Sequence, residues 1–314
     1  MTVRRDLAEL QRQGLVKRIH GGAVLPSAST TIPSQHTIDG RVAMLVPNLD
    51  FDWPSVARSA DAAARWRGLR LLLRSDATND LSVLARLFAQ DDVIGVGAAI
   101  DTSDSGVIEF LDAQTKPFVL IESNQTSHRQ LTFDSVVTDH TKGAHEVVRH
   151  LWELGHRRIG CVLRRTSPAS KMIADGWRAI CDELAISPDQ TWLQTVPDHC
   201  NAAFTPAAQA VVAHCLQNET TGLLVHSDRE AISLAQLLEL QGLRVPEDIS
   251  IVSYDDDIAA LYSPALTAVR PAGGSLGAAA IDLLVARHTN PHRPIHHVTI
   301  SPELVVREST MACH

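Results

Sequence analysis

The feature that most constrains this chain is a series of short apolar runs separated by stretches long enough to form a helix. Seven of these runs are VAMLVP (42–47), LRLLL (69–73), DVIGVGAAI (92–100), PFVLIE (117–122), RIGCVL (158–163), TGLLVHSD (221–228) and ISIVSYDDD (249–257). Continuous apolar runs of about five residues that alternate with helical segments indicate parallel strands buried on both faces. The sequence therefore predicts an α/β fold with a doubly wound architecture.

Polar or acidic residues follow several of these predicted strands, and this placement predicts a binding site. The residues are Asn48, Asp50, Asp76, Glu122, Asp228 and Asp255. In open parallel sheets, ligands bind outside the carboxyl ends of the strands, where such side chains converge. Because carboxylates at strand ends are common in any α/β protein, the set carries more weight than any one member.

The charge of the chain is unevenly distributed along its length. The 314 residues carry a formal net charge of −8, yet residues 1–20 contain five Lys or Arg residues and only two acidic ones. The rest of the chain is therefore more acidic than the total suggests. A positive field confined to one end indicates that this end contacts an anionic partner such as nucleic acid.

The first 24 residues have the pattern of a helix followed by a tight two-stranded reversal. In TVRRDLAELQRQG, the apolar residues Val3, Leu7 and Leu10 fall on one helical face and Gly14 ends the helix. The next segment, LVKRIHGGAV, places extended residues on both sides of a Gly-Gly pair, which predicts a short wing. A basic helix can enter a DNA major groove while a basic wing lies along phosphates, although a helix that is merely solvated carries the same charges.

The order of residues in this segment resembles the recognition helix and wing of the DeoR-type winged helix-turn-helix, in which a TxRRDL helix precedes a GxxxRxHGGA wing. The resemblance implies contact with double-stranded operator DNA. The residues it assigns to that contact are Thr2, Arg4, Arg5, Arg12, Lys17, Arg18 and His20. Of these, the first two arginines would reach base edges or phosphates, and the basic residues from Arg12 onward mainly phosphates.

A DeoR-type domain needs two helices ahead of its recognition helix, and they are missing from this sequence. The apolar face of the first helix would then have too little partner surface to form a core of its own. Two explanations remain open: a start codon upstream of Met1, or a damaged regulator that binds DNA poorly. We favour the first, because the surviving half keeps its pattern intact.

A second resemblance covers the body of the chain, from about Arg41 to Thr310. The segments that carry it are SVVTDHTKGAHEVVRHLWELGHRRIGCV (135–162), GLRVPEDISIVSYDDD (242–257), SPALTAVRP (263–271) and PELVVREST (302–310). They are similar to the effector-binding and dimerising core of the LacI/GalR repressors, which is itself similar to periplasmic sugar-binding proteins. The resemblance implies two Rossmann-like lobes joined by three crossovers, with a small-molecule effector in the cleft between them.

These resemblances predict the domain organisation. Residues 1–26 form a partial winged helix-turn-helix, residues 27–40 a polar linker, and residues 41–310 the effector-binding and dimerisation domain. Lobe 1 comprises about 41–138 and 270–287, and lobe 2 about 139–269 and 288–310.

The LacI/GalR resemblance also assigns effector contacts in the cleft. The candidate residues are Asn48, Asp50, Phe51, Trp53, Asp76, Glu122, Asp139, Lys171, Ile173, Asp228 and Asp255. Phe51 or Trp53 could stack on an apolar ligand face, and the carboxylates suit the hydroxyl donors of a sugar or polyol. At Ile173 the family usually has an arginine, and since isoleucine cannot replace a planar donor, we expect Lys171 to reach in as a point charge.

Several other kinds of site are not expected. GVGAAI (95–100) lacks the third glycine of a dinucleotide fingerprint, and successive side chains in Asp255–Asp257 diverge too much for a metal site. The five cysteines form no CxxC pair, which argues against structural zinc or a disulfide framework and fits a reducing cytoplasm. No apolar run approaches the length of a membrane span, so we expect no membrane partner. Because neither the dinucleotide fingerprint nor a metal site is complete, we expect no cofactor.

The sequence as a whole predicts a ligand-responsive, DNA-binding transcriptional regulator, a repressor of a catabolic and carbohydrate-related operon. It would act as a cytoplasmic homodimer and would not be an enzyme. The alternatives are a solute-binding receptor, a sensor that does not bind DNA, and an enzyme on the same scaffold, since a fold does not fix a function.

Overall fold

The computed structural model describes residues 17–19, 22–24, 39–47, 53–75, 80–102, 104–123, 132–187 and 190–313. It divides the chain into two compact units, Met1–Asp39 and Gly40–His314. In the first unit, strands β1 (Lys17–Ile19) and β2 (Gly22–Val24) pair antiparallel, with Lys17 opposite Val24. This pairing is the backbone of the wing that the sequence predicts. Thr2, Arg4, Arg5, Arg12 and His20 lie outside the described residues.

The second unit contains two sheets, and the first of them forms the centre of lobe 1. Its strands are β3 (Arg41–Val46), β4 (Arg70–Ser75), β5 (Val93–Ala98), β6 (Phe118–Ile121), β7 (Asp134–Thr138) and β13 (His297–Ile300). They are all parallel, in the order β13-β7-β6-β5-β3-β4. The helices of this lobe are α1 (Trp53–Trp66), α2 (Leu81–Phe88), α3 (Ser105–Asp112) and α8 (Gly273–Thr289).

The second sheet forms the centre of lobe 2. Its strands are β8 (Ile159–Arg164), β9 (Thr191–Val196), β10 (Gly222–His226), β11 (Ser250–Tyr254), β12 (Thr267–Arg270) and β14 (Glu303–Val305). Their order is β14-β12-β11-β10-β8-β9, and only β14 is antiparallel to its neighbour. The helices are α4 (His140–Glu153), α5 (Ser170–Glu183), α6 (Phe204–Gln217) and α7 (Asp228–Leu240).

The chain passes between the two sheets three times, after β7, after β12 and after β13. This topology confirms the prediction of two Rossmann-like lobes joined by three crossovers. The central strands are buried on both faces, as in β8 and β10, where every residue is buried. Their burial explains why they appear in the sequence as continuous apolar runs.

The assignment of residues 288–310 to lobe 2 is wrong for its first part. Strand β13 pairs in parallel with β7 of lobe 1, with His297 opposite Ser135 and Ile300 opposite Thr138. Only β14 and the residues after it join the lobe 2 sheet, through Ala268 opposite Val305. The hydrogen bonds of β13 therefore extend lobe 1 at its edge, and the third crossover lies between β13 and β14.

Polar side chains fix the starts of several helices. The Asp80 carboxylate accepts a hydrogen bond from the Ser82 backbone N–H at 2.8 Å, and Asp104 does the same for Gly106 at 2.8 Å. At the start of α7, Ser227 and Glu230 form a reciprocal capping box. Among the helices of the described ranges, none combines the length and the apolar character that crossing a membrane requires.

Candidate functional site

The carboxyl ends of four adjacent lobe 2 strands carry a row of polar side chains. Tyr254 ends β11 and is followed by Asp255, His226 ends β10, Arg164 ends β8, and Asp198 comes two residues after β9. Since β11, β10, β8 and β9 are neighbours in the sheet, these side chains lie along one edge of it. We call Asp255, His226, Arg164 and Asp198 the strand-end row.

Arg164 and Asp198 form the ion pair of this row. The Arg164 Nε lies 3.2 Å from Asp198 Oδ1, and the arginine side chain is only 10% exposed. The Thr166 hydroxyl lies 2.9 Å and 2.7 Å from the two Asp198 carboxylate oxygens and donates to the carboxylate. The guanidinium therefore lies at the sheet edge beside a carboxylate that Thr166 orients.

His226 occupies the middle of the row and is almost completely buried. Its Nδ1 lies 3.3 Å from the Ser170 hydroxyl, and its Nε2 lies 3.7 Å from Asp255 Oδ1. Burial lowers the pKa of His226 well below its ordinary value, and the positive charge of Arg164 and the proximity of His140 lower it further. These effects outweigh the nearby carboxylate, so the imidazole is neutral at pH 7.

A second cluster joins the two lobes beside this row. Glu122 follows β6 of lobe 1, and its carboxylate accepts hydrogen bonds from the Thr138 backbone N–H at 3.0 Å and from the Thr138 hydroxyl. Its Oε2 lies 3.3 Å from His140 Nε2, and His140 Nδ1 lies 3.0 Å from the Tyr254 hydroxyl. Glu122, His140 and Tyr254 thus connect β6 of lobe 1 with β11 of lobe 2, and we call them the junction cluster.

The environment of the junction cluster shifts two of its pKa values in opposite directions. Burial alone would raise the pKa of Glu122, but hydrogen bonds and charge from His140 and the bonds from Thr138 leave it below the ordinary value. Burial raises the pKa of Tyr254 well above its usual range, and Asp255 and Glu122 add to the effect. The carboxyl is therefore ionised and the phenol protonated at neutral pH.

Three of the sequence-predicted contacts lie at the junction of the lobes. Glu122 belongs to the junction cluster, and Asp255 belongs to the strand-end row with its side chain 11% exposed. Asp139 caps α4, where its carboxylate accepts a hydrogen bond from the Lys142 backbone N–H at 2.9 Å. Asp255 also has a positive φ of 101°, a conformation that non-glycine residues rarely adopt and that is often found in functional sites.

Two predicted contacts are buried within lobe 2 in this structure. Ile173 is 0% exposed and packs in the core between α4, α5 and the lobe 2 sheet. Asp228 is 2% exposed, and its carboxylate accepts hydrogen bonds from the backbone N–H groups of Ile258 at 2.9 Å and Ala259 at 3.1 Å. Both were predicted from a sequence pattern alone, and both stabilise lobe 2 itself.

Lys171 does not take over the role of the missing arginine at position 173. Its ammonium lies 3.2 Å from the Asp175 carboxylate one turn along the same helix, and its side chain is 64% exposed. Trp53 is the first residue of α1 and is half-buried. Asn48, Asp50, Phe51 and Asp76 lie outside the described residues.

The sequence interpretation missed Arg164, Asp198, His226 and His140. A signal for two of them is present, because Arg164 directly follows the run RIGCVL and His226 follows the apolar residues of TGLLVHSD. Both obey the same strand-end rule that points to Asp255. Restricted to acidic and amide residues, that rule does not include the cationic end of β8. Asp198 lies in the loop after β9, a strand without a continuous apolar run.

The three acidic residues that follow β11, Asp255–Asp257, lie in three different surroundings. Asp255 faces His226, whereas Asp256 lies 2.7 Å from Arg307 Nη1 and 2.6 Å from Arg270 Nη2. Asp257 is exposed. Within the described ranges, no three His, Cys, Asp or Glu side chains are grouped closely enough to hold a metal ion.

A separate cavity of about 640 Å³ lies at the opposite edge of the lobe 1 sheet. It is lined by residues at the amino-terminal ends of β5, β6 and β7, among them Val93, Phe118 and Asp134. Because the strands are parallel, this cavity is at the far side of the lobe from the strand ends that face the cleft. It contains none of the predicted effector contacts.

Comparison with known proteins agrees with both parts of this description. Residues 148–310 match the periplasmic binding protein-like domain, and residues 1–29 match the DeoR-like helix-turn-helix domain. The HTH-type transcriptional regulator MalR of Streptomyces coelicolor is 28% identical over 284 residues, which is 87% of this chain and 81% of MalR. The HTH-type transcriptional repressor PurR of Aliivibrio salmonicida is 26% identical over 227 residues.

The PurR match covers 71% of this chain but only 66% of PurR. Among solved structures, a LacI family transcriptional regulator from Enterococcus faecium with bound ribose has a TM-score of 0.73 at 24% identity, and the match covers 87% of this chain and all of that one. At this identity the likeness establishes the fold. The periplasmic binding protein-like match alone spans more than half of the sequence, and the chain belongs to the periplasmic binding protein-like family.

Proposed function

We propose that this protein is a ligand-responsive transcriptional regulator that represses a catabolic, carbohydrate-related operon. Its first unit would contact operator DNA, and a small molecule in the cleft between the lobes would control that contact. The observation that supports the proposal most is the presence, in one chain, of a DeoR-like helix-turn-helix match and a periplasmic binding protein-like match. No step of this function needs a cofactor or a chemical reaction.

The geometry of the cleft supports an effector role. The strand-end row presents a guanidinium, two carboxylates and an imidazole at one sheet edge, and the junction cluster connects the lobes beside it. A ligand that contacts both lobes stabilises the arrangement of lobes that it fits best. Effector binding would therefore change the relative orientation of the lobes and, through a dimer, the spacing of two DNA-contacting units.

Operator binding is expected to depend steeply on salt, because the contacts of the first unit would be mainly with phosphates. Each phosphate contact contributes about −0.9 to the slope of log Kobs against log salt concentration. We expect the double variant Lys17→Ala/Arg18→Ala to reduce the magnitude of this slope by about 2. The slope is measured by titrating the chain, at several salt concentrations, onto duplex DNA from the region upstream of its own gene.

The matched control for this experiment is Arg65→Ala. Arg65 is also basic, but it lies in α1 of the second unit, with its side chain 75% exposed in an ion pair with Asp61. This variant should leave the slope unchanged. A slope that is the same in the double variant as in the unmodified chain would count against DNA binding by the wing.

Self-association is the second requirement of the proposed mechanism, and an apolar surface of lobe 2 supports it. Leu240 at the end of α7 is 78% exposed, and Leu261 in the short 3-10 helix Ala259–Leu261 is 83% exposed. The two segments are adjacent, since the Tyr262 hydroxyl donates to Glu239 at 3.1 Å. In a twofold dimer the same patch contacts its own copy, and we propose this one as part of the homodimer interface.

The variant Leu261→Asp is expected to weaken self-association more than about tenfold, because a central apolar anchor contributes about 2 kcal/mol or more to an interface. Sedimentation equilibrium measures the dimer constant. As a control, Leu216→Asp makes the same change at an α6 side chain that is 44% exposed and should leave the constant within about twofold. Equal dimer constants for Leu261→Asp and the unmodified chain would argue against this interface.

The proposed site of action is the cytoplasm, where operator DNA is accessible. The cysteines fit that environment, because all five are free thiols. Disulfides are rare in reducing compartments.

A further inference from the structure

The strand-end row contains a cationic group that the assigned effector contacts do not include. Arg164 is the last residue of β8 and is 8% exposed. Placing a guanidinium there carries a desolvation cost, which its ion pair with Asp198 offsets. The Asp198 side chain remains 35% exposed. An apolar residue in place of Arg164 would avoid the desolvation cost, so the retained charge points to a binding role.

The pair is also preorganised for binding. Asp198 is fixed by the Thr166 hydroxyl, and the Ser170 hydroxyl donates to the Arg164 carbonyl at 2.6 Å. Ser170 in turn lies 3.3 Å from the His226 ring. Because the Asp198 carboxylate is already oriented and paired with Arg164, the protein loses little side-chain conformational entropy when a ligand contacts the pair.

The charges in the row indicate which ligands it accepts. Arg164 is the one cation of the row, whereas Asp198 and Asp255 contribute two carboxylates, and His226 is neutral at pH 7. The net charge of the row is therefore negative. An additional phosphate or carboxylate on a ligand would be repelled, while a hydroxyl group can donate to a carboxylate and accept from the guanidinium at the same time.

We propose that Arg164 and Asp198 together bind adjacent hydroxyl groups of a neutral sugar or polyol and make the cleft selective against phosphorylated and acidic sugars. This inference rests on the proposed effector role of the cleft. It assigns the donor function of lobe 2 to the end of β8, since position 173 of α5 carries a buried isoleucine. Arg164 is then a specificity-determining residue, and Asp198 both contacts the ligand and positions the arginine.

The test measures binding by isothermal titration calorimetry with the full chain. The neutral probes are D-ribose, D-glucose and cellobiose, and the anionic probes are D-ribose 5-phosphate and D-gluconate. We expect at least one neutral probe to bind the unmodified chain at least tenfold more tightly than either anionic probe. Arg164→Gln and Asp198→Asn should each weaken that binding by about 10- to 100-fold, since hydrogen bonds to charged groups are lost.

Arg165→Gln is the matched control, because Arg165 is the next residue and is exposed. The affinity of this variant for the neutral probe should stay within about twofold of that of the unmodified chain. The double variant Arg164→Gln/Asp198→Asn should lose much less than the product of the single losses, since the pair acts as one unit. Thermal unfolding of each variant shows whether it is folded. Arg164→Lys keeps the charge but loses the planar fork, so it should bind the neutral probe more tightly than Arg164→Gln but less tightly than the unmodified chain.

The outcomes separate this inference from the proposed function. If a neutral sugar binds but Arg164→Gln binds it as tightly as the unmodified chain does, or if an anionic probe binds more tightly, the inference is wrong while the effector role of the cleft stands. Failure of every neutral and anionic probe to bind the unmodified chain would overturn both.

Discussion

Replacing Asp134 with alanine will lower the free energy of unfolding by about 3 kcal/mol, because it breaks a buried ion pair. This is the lower end for such a pair, since the Arg287 guanidinium loses its carboxylate but keeps hydrogen bonds to three backbone carbonyls. The Asp134 side chain is 0% exposed. Its two oxygens accept hydrogen bonds from Arg287 Nε at 3.0 Å and Nη2 at 2.9 Å, and from the His296 backbone N–H at 2.7 Å. One carboxylate thus ties together β7, α8 and the segment that leads into β13.

Urea denaturation followed by circular dichroism measures this effect. A suitable control is Asp92→Ala, because Asp92 accepts a hydrogen bond from Arg41 at 2.7 Å but its side chain is 48% exposed; removing this exposed pair should cost less than about 1 kcal/mol. The cycle formed by Asp134→Ala, Arg287→Ala and the double variant should show a coupling energy above about 1 kcal/mol. Equal costs for Asp134→Ala and Asp92→Ala would contradict the prediction.

The second large effect is expected from Gly277→Ala, at the contact between α1 and α8. A Cβ atom at this position would lie 2.0 Å from the Val56 carbonyl oxygen and 2.7 Å from the Ala60 backbone nitrogen. Both obstacles are main-chain atoms of α1, so the helices must move apart and the packing of lobe 1 must open. We expect a loss of stability of about 1–3 kcal/mol, even though alanine is the better helix former.

The same substitution three residues earlier provides the comparison. A Cβ atom at Gly274 of α8 would have only the Ser55 hydroxyl as a near neighbour, at 3.9 Å, which is an ordinary contact. Gly274→Ala should therefore leave the unfolding free energy unchanged or raise it by up to about 1 kcal/mol. The denaturation midpoints of the two variants, measured under identical conditions, test this difference in stability. A destabilised Gly274→Ala together with an unaffected Gly277→Ala would refute the packing argument.

The central strands of both lobes could be predicted from the sequence because burial on both faces leaves an unbroken apolar run. Edge strands do not have this pattern. In β13, exposed residues alternate with half-buried ones, and β9 is half-buried over most of its length. The pairing of β13 with lobe 1 could not be predicted from the sequence either. A four-residue strand near a crossover does not indicate which of two sheets completes its hydrogen bonds.

The candidate site was only partly predictable, and the reasons differ from residue to residue. The strand-end rule located Asp255 and applies equally well to Arg164 and His226. Motif position places Ile173 in the cleft, and the strand-end rule places Asp228 there as well. Burial depends on how a helix or turn packs, so neither signal shows that Ile173 lies in the core or that Asp228 holds the turn before Ala259. Sequence spacing also does not reveal ion pairs between distant loops, such as that between Arg164 and Asp198.

The cysteines give this protein a natural attachment point for a fluorescent reporter. Burial raises the pKa of the Cys181 and Cys215 thiols to about 12 and raises that of Cys161 as well, so these thiols resist maleimide reagents at neutral pH. Cys200 is exposed and lies two residues after Asp198. After Cys313 is replaced by serine, a dye on Cys200 would sit at the edge of the cleft and register its occupancy by a change in emission, without an engineered cysteine.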